Sequence, residues 1–131
     1  MVILFLEVIY KFIQCSLLFL YALTNRILVV DEGPSLSWAN YLNLLHTKNA
    51  LRPNDAVLLM RLDLRFLHSL SKFHVVRVYF IDRSQDKLIT FWRLKGHNTP
   101  YDVKFANIVR YSFKLFAKSA KHITVRYVFL P

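Results

Sequence analysis

The sequence predicts an α+β fold in which a long apolar helix precedes a small mixed domain. Apolar residues recur at helical spacing in several segments, and short runs of β-branched and aromatic residues lie between those segments. No internal repeat or low-complexity tract interrupts this pattern. We therefore expect an α+β architecture, with the domain ordered helix, strand, helix, strand, strand, helix, strand.

The first element is predicted to be an apolar helix over residues 2–23. Its length suffices to cross a bilayer, which takes about 20 apolar residues. Glu7, Lys11 and Gln14 nevertheless share one helical face, where Glu7 and Lys11 are spaced to form an ion pair. Because polar groups are costly in lipid, this stripe indicates a helix packed in a membrane bundle or between soluble subunits. We expect residues 1–30 to pack on a protein partner, with a membrane as the less favoured alternative.

A turn at Gly33-Pro34 divides the chain into two parts of different charge. We assign residues 1–33 to an apolar helical extension and turn, and residues 34–131 to a single basic domain. Residues 48–131 hold 16 Lys and Arg against 5 Asp and Glu, whereas residues 1–47 are nearly neutral. The basic domain therefore suggests a polyanionic partner.

Composition excludes two other classes of protein. With 55% apolar residues the chain is not a disordered basic tail. Cys15 is the only cysteine, which excludes an intrachain disulfide and a zinc site built from several cysteines. We interpret Cys15 as a buried thiol that serves as a small apolar group.

The first half of the domain is expected to contain two helices around a buried strand. Ser37 is placed to cap a helix that ends near Asn49. Residues 52–55 are typical of a turn, and the apolar run over residues 56–60 is predicted to be a strand. Residues 62–73 return to helical spacing. The solvent side of that helix is expected to carry Arg61, Arg65, Ser69 and Lys72.

The second half of the domain is expected to begin with a β-hairpin. Residues 75–81 and 88–94 are β-branched and aromatic runs separated by a polar loop. A helix over residues 103–119 and a strand over residues 123–129 complete the domain.

The predicted helix over residues 103–119 carries the sharpest functional pattern. Four basic residues at spacings of 4, 4 and 3 form a continuous basic ridge. Like charges at that spacing repel, which is consistent with a phosphate backbone that neutralises them on binding. Tyr101 and Tyr111 are placed to stack on bases, although such tyrosines more often pack in a core or at its rim. The basic ridge consists of Arg110, Lys114, Lys118 and Lys121. The other candidate RNA contacts are Lys48, Arg52, Arg61, Arg65 and Arg126.

Patterns typical of enzymes are weak. The five histidines include no pair at metal-ligand spacing, and with Gly33 and Gly96 as the only glycines there is no glycine-rich phosphate loop. Asp55 and Asp63 are interpreted as surface ion-pair partners of neighbouring arginines. We therefore predict a protein that is not an enzyme and that uses no cofactor, metal or small-molecule substrate.

Residues 37–112 resemble the small-subunit ribosomal protein family numbered eight. The predicted order helix, strand, helix, strand, strand is that of the family's amino-terminal domain. Ile108-Val109-Arg110-Tyr111-Ser112 is similar to the family's Ile-x-Arg-x-Ser segment, and Leu94-Lys95-Gly96 lies where the family has a Leu-Lys-Tyr strand end. The resemblance implies a structural protein that binds ribosomal RNA, helps it to fold and contacts neighbouring ribosomal proteins.

The chain departs from this family in its apolar head up to Val30, which is foreign to the family and looks like an added element that docks on neighbouring subunits, and in two further places. Met60-Arg61-Leu62-Asp63-Leu64 stands where the family has a loop with Pro-x-Ser-Lys. No glycine follows Gly96, so the family's carboxy-terminal Ser-Thr-x-x-Gly loop, which contacts RNA, has no counterpart.

The amino-terminal sequence also bears on localisation. Its first basic residue, Lys11, follows Glu7, which matches neither a secretory signal nor a mitochondrial presequence. We expect synthesis inside an organelle, the mitochondrion, and a role in translation as a constituent of the small ribosomal subunit. The alternatives are a membrane-anchored accessory subunit of an inner-membrane respiratory or ATP-synthase complex, and a soluble adaptor that binds an acidic protein.

Overall fold

The computed structural model describes residues 2–24, 27–30, 34–46, 49–96 and 102–131. Five helices and two strands lie within these ranges, which confirms the α+β class and the apolar amino-terminal helix. The order of elements is α1 (Val2–Thr24), α2 (Pro34–His46), α3 (Pro53–Ser71), β1 (Arg77–Arg83), α4 (Gln85–Leu94), α5 (Asp102–Ser119) and β2 (Thr124–Leu130).

Helix α2 begins earlier than the sequence predicts. Its first residue is Pro34, whose ring favours the first position of a helix. The prediction that Ser37 caps this helix is therefore wrong, because Ser37 lies inside it. Trp38, Tyr41 and Leu42 of this helix are buried, and Leu45 is half-buried.

Helix α3 replaces the predicted strand over residues 56–60. The helix begins at Pro53, and the Arg52 carbonyl accepts the backbone N–H groups of Asp55 and Ala56 at 3.1 and 3.0 Å. An apolar run of five residues fits a buried strand or a buried helix, and here the buried positions continue at helical spacing into the segment that follows. The buried residues of α3 are Ala56, Leu59, Met60, Asp63 and Leu67.

The predicted β-hairpin is also wrong in its second half. Strand β1 forms near the predicted place, but residues 88–94 belong to helix α4, and a single residue, Ser84, separates the two elements. Leu88, Ile89 and Trp92 are half-buried on one side of α4, and Trp92 packs on Phe105 of α5 with ring centroids 5.8 Å apart. Burial at helical spacing has thus overridden the strand propensity of this run.

The two strands form a parallel sheet, with α4 and α5 in the connection between them. Arg77 pairs with Thr124 at one end and Arg83 with Leu130 at the other. The inner face of the sheet packs on α5, where the ring of Phe80 stacks on Phe113 with centroids 4.4 Å apart. The predicted final strand and the predicted helix over residues 103–119 are both confirmed as β2 and α5.

The core lies between α2, α3, α5 and the inner face of the sheet. Trp38 and Phe116 are fully buried at its centre and meet edge to face, with ring centroids 5.3 Å apart. Helix α1 lies against α3, and Phe19 meets Phe66 edge to face at 5.8 Å.

Candidate nucleic-acid interface

Basic side chains dominate the surface of the domain. Apart from Lys11 and Arg110, every Lys and Arg in the described ranges is exposed. Among the carboxylates whose side chains are described, only Asp86 is exposed, because Asp63 and Asp82 are buried and Glu7 and Asp55 are half-buried. In the described ranges the positive charge is therefore displayed outward, with few exposed acidic side chains to neutralise it.

Helix α5 presents one continuous exposed strip to solvent. Its members recur at spacings of 3, 4, 3 and 4, which keeps them on one side of the helix, away from the buried Ser112 and Phe116. Lys121 is exposed in the turn that follows. We call this set the α5 strip: Lys104, Asn107, Tyr111, Lys114 and Lys118.

Arg110, which the sequence analysis assigned to the basic ridge, lies beside the α5 strip and binds Asp82 of β1. Its Nε and Nη2 donate to the two carboxylate oxygens of Asp82 at 2.9 and 3.1 Å, and Nη2 also donates to the Arg83 carbonyl at 2.9 Å. This two-pronged contact joins α5 to the end of β1. Arg110 thus has a structural role that the basic spacing did not indicate, and its contact with RNA stays a prediction.

Asp82 is held by further donors. The Tyr127 hydroxyl and the Arg83 backbone N–H both donate to its carboxylate. Burial would raise the pKa of Asp82, but hydrogen bonds from Arg110, Tyr127 and the Arg83 backbone outweigh it and hold that pKa below its usual value. The hydrogen bond to Asp82 in turn raises the pKa of Arg110 and of Tyr127.

The remaining predicted RNA contacts are distributed over other elements. Arg61 and Arg65 are exposed one turn apart on α3, and Arg52 is exposed just before that helix. Arg126 is exposed on β2. Lys48 and the predicted stacking residue Tyr101 lie outside the described residues.

The outward face of the sheet carries basic residues that the sequence analysis missed. Arg77, Tyr79 and Arg83 alternate on the exposed side of β1, and Tyr79 is paired in register with Arg126 of β2. The alternation of these three residues within a β-branched run was the signal available in the sequence. The strand itself was predicted, but its solvent face was not considered as a site.

Helix α1 turns its basic residue, Lys11, toward the domain. Lys11 is buried and donates to the carboxylate of Asp63 on α3, and Trp38 Nε1–H donates to the other oxygen of that carboxylate at 3.2 Å. Two predictions are therefore wrong: Asp63 is not in a surface ion pair with neighbouring arginines, and Lys11 pairs with Asp63 rather than Glu7. Burial raises the pKa of Asp63, and the nearby Lys11 charge offsets only part of that effect.

The other side of α1 is apolar and exposed. The segment Leu4–Thr24 is long and apolar enough to cross a membrane, and most of it is not buried against the rest of the described chain. A groove of about 590 Å³ runs between α1 and α3, lined mainly by apolar side chains such as Phe12, Phe19 and Phe66. Cys15 lines the same groove and is only half-buried, so it is less enclosed than the sequence interpretation supposed. The exposed side chains of α1 include Phe5, Ile9, Phe12, Ile13, Leu17 and Leu20.

No group of three or more potential metal ligands occurs in the part of the chain that the structure describes. Two histidines from different elements, His68 and His122, do approach each other, with ring centroids 5.0 Å apart.

No protein-family model, no curated protein and no solved structure matches this chain. The charged surfaces and the apolar helix are therefore the features from which function is inferred.

Proposed function

We propose that this chain is a structural RNA-binding protein of the small subunit of the mitochondrial ribosome. The cationic surface is the observation that carries this proposal: the described basic side chains point outward, apart from the two that form internal ion pairs with Asp63 and Asp82. Such a surface is suited to the phosphate backbone of RNA, whose contacts supply most of the non-specific affinity.

The α5 strip is the principal phosphate-binding element in this proposal. Lys104, Lys114 and Lys118 project from one side of a helix whose other side is fixed in the core by Phe113 and Phe116. A helix packed on the core holds the backbone positions of these lysines at a constant spacing, so that their side chains extend from the same side. Lys121 extends the same positive surface into the following turn.

The resemblance to the ribosomal protein family gives narrower support. Residues 56–60 and 88–94 are helical, so the order of elements differs from the one on which the resemblance was partly based. The short match over residues 108–112 lies on α5, where Arg110 is half-buried and paired with Asp82 and Ser112 is buried. Surface charge, more than element order, supports an RNA-binding role.

Helix α1 is proposed to dock on a neighbouring ribosomal protein. Its basic residue Lys11 is paired with Asp63, while large apolar side chains cover much of its outer side. An exposed apolar surface of this kind marks an interaction site. The ion pair holds α1 against α3, so that the outer side is presented by a fixed element.

A second candidate function is that of a membrane-anchored subunit, which the composition of Leu4–Thr24 favours. Crossing a bilayer with the Lys11–Asp63 pair intact would also carry the exposed Arg61 and Arg65 of α3 into lipid, at a high cost. A helix lying in the membrane interface would avoid that cost.

The two candidates are separated by fractionation of mitochondrial lysate on a sucrose gradient, in mild detergent, with and without ribonuclease. Following the chain by mass spectrometry, we expect it to move with the small ribosomal subunit and to leave that position after ribonuclease treatment. Migration with a membrane complex that ribonuclease does not change would contradict the ribosomal proposal and support the second candidate.

A further inference from the structure

The two faces of the sheet differ most clearly along β1, where the outward residues are exposed and the inner ones are half-buried or buried. Helix α5 covers the inner face through Phe113. On the outward face Tyr79 is 51% exposed and Ile81 is 61% exposed. Parallel sheets are ordinarily covered on both faces, so this outward face is suited to a partner.

The charge of the outward face indicates which partner it fits. Arg77 and Arg83 lie at the two ends of β1, and Arg126 lies on β2 beside Tyr79. The nearest carboxylate along the strand, Asp82, points to the opposite face, where it binds Arg110. The outward face therefore presents three guanidinium groups without an acidic side chain among the strand residues that share it. Those residues are Arg77, Tyr79, Ile81, Arg83, Thr124, Arg126, Val128 and Leu130.

The position of the Tyr79 ring indicates a second property that the partner must have. Tyr79 stands at the same level of the sheet as Arg126 and two residues from Arg77. An exposed tyrosine ring on the sheet gives an unpaired base a surface on which to stack, while guanidinium groups bind the flanking phosphates through paired N–H donors. An A-form duplex hides its base faces and cannot use the ring in this way.

We propose that the outward face of the β1–β2 sheet binds single-stranded RNA, with one base stacked on Tyr79 and its flanking phosphates bound by Arg77 and Arg126. This inference rests on the proposed RNA-binding function and adds the class of RNA and the residues that select it. It also distinguishes the outward face of the sheet, which is specific for single strands, from the α5 strip, which is suited to the phosphates of single-stranded and duplex RNA alike.

The test compares the affinity of the full chain, in mild detergent, for a uridine-rich single-stranded oligonucleotide and for a duplex of equal length. We expect Tyr79→Leu to weaken binding of the single strand by about tenfold and to leave duplex binding unchanged. Tyr79→Phe keeps the ring and should bind like the unsubstituted chain. Tyr10→Leu, which removes an exposed tyrosine of α1 outside both RNA-binding surfaces, is the matched control and should change the single-strand affinity much less.

The arginines are tested by salt dependence. Arg77→Gln with Arg126→Gln should reduce the slope of log affinity against log salt for the single strand by about 1 per arginine removed. Circular dichroism should show unchanged helix content in each variant, since all three side chains are exposed.

Three results would overturn parts of this inference in distinguishable ways. If Tyr79→Leu binds the single strand as the unsubstituted chain does, the sheet is not the site but RNA binding stands. If the unsubstituted chain binds neither RNA, the proposed function fails as well. If a polyglutamate peptide displaces the RNA at equal concentration of charges, the sheet face selects acidic protein rather than RNA.

Discussion

Lys11 of α1 and Asp63 of α3, which are 52 positions apart in the sequence, form a buried ion pair between two helices. Trp38 of α2 donates to the same carboxylate, so that three helices meet at one acidic side chain. The ring of Tyr41 lies 5.1 Å from the Lys11 ammonium group, measured to the ring centroid. Burial and the charge of Asp63 both raise the pKa of Tyr41, which keeps its hydroxyl neutral. The apolar helix is thus attached to the domain by a polar contact.

We expect loss of either partner of this pair to destabilise the chain strongly. Lys11→Met or Asp63→Leu alone should lower the free energy of unfolding by about 3–5 kcal/mol, because each leaves an uncompensated buried charge. The double variant should lose much less stability than the sum of the losses in the two single variants, although Trp38 then lacks its hydrogen-bond acceptor. Denaturant unfolding of the four proteins measures the coupling. Additive losses would show that the two side chains do not interact.

Asp82 is expected to make stability depend on pH in the acid range. Its pKa is lowered in the folded state, so its contribution is complete above the unfolded value of about 3.8 and is lost as pH falls through the folded value. Asp82→Asn should lower stability at neutral pH by about 1–3 kcal/mol, since Arg110 loses its charged acceptor. Thermal unfolding between neutral and acid pH should show that the difference from the unsubstituted chain shrinks on acidification. A constant difference would contradict this role.

Removing positive charge from α5 and the turn after it should weaken binding to any RNA, whatever its sequence or structure. Lys114→Gln, Lys118→Gln and Lys121→Gln together should reduce the slope of log affinity against log salt by about 3 for duplex RNA. Replacing Lys72, Lys87 and Lys95 by glutamine removes the same charge from other exposed positions and is the control. Equal effects of the two triple variants would indicate general electrostatic attraction without a preferred surface.

The isolated chain is expected to self-associate through α1. Ile9, Ile13 and Leu17 are exposed on its outer side at intervals of four residues, so replacing all three by glutamine should yield a monodisperse chain on gel filtration in the absence of detergent. The same change at Leu4 and Val8, which pack against the core, should instead lower the melting temperature. A monodisperse unsubstituted chain would contradict the view that α1 needs a partner.

Prediction from the sequence succeeded where one period extended over a long segment. Helices α1 and α5 were found near their observed bounds because each keeps an apolar pattern for four or more turns. The errors fell on short apolar runs. Residues 56–60 and 88–94 carry strand-like composition, but the first run continues the buried stripe of α3 and the second packs on α5 through Trp92.

The residues of the candidate site likewise fall into those that the local sequence pattern predicted and those that it did not. Lys114, Lys118 and Arg126 were identified as exposed basic residues, because charge and helical spacing are local properties. The ion pair between Arg110 and Asp82 was not predicted, because the two residues lie 28 positions apart and meet only when α5 packs on β1. The basic and aromatic face of the sheet was missed because a parallel pairing of β1 with β2 cannot be read from either strand alone.

The sequence by itself determined the α+β class, the long apolar helix and the positive charge of the domain, since composition and periodicity depend on neighbours along the chain. Only the tertiary structure decided which charged side chains form internal ion pairs and which stay exposed, where a partner can bind them. Lys11 and Arg110 look like other basic residues in the sequence, and packing brings a buried carboxylate to each of them. The physical reason is that burial and pairing depend on contacts between distant segments, which local pattern does not contain.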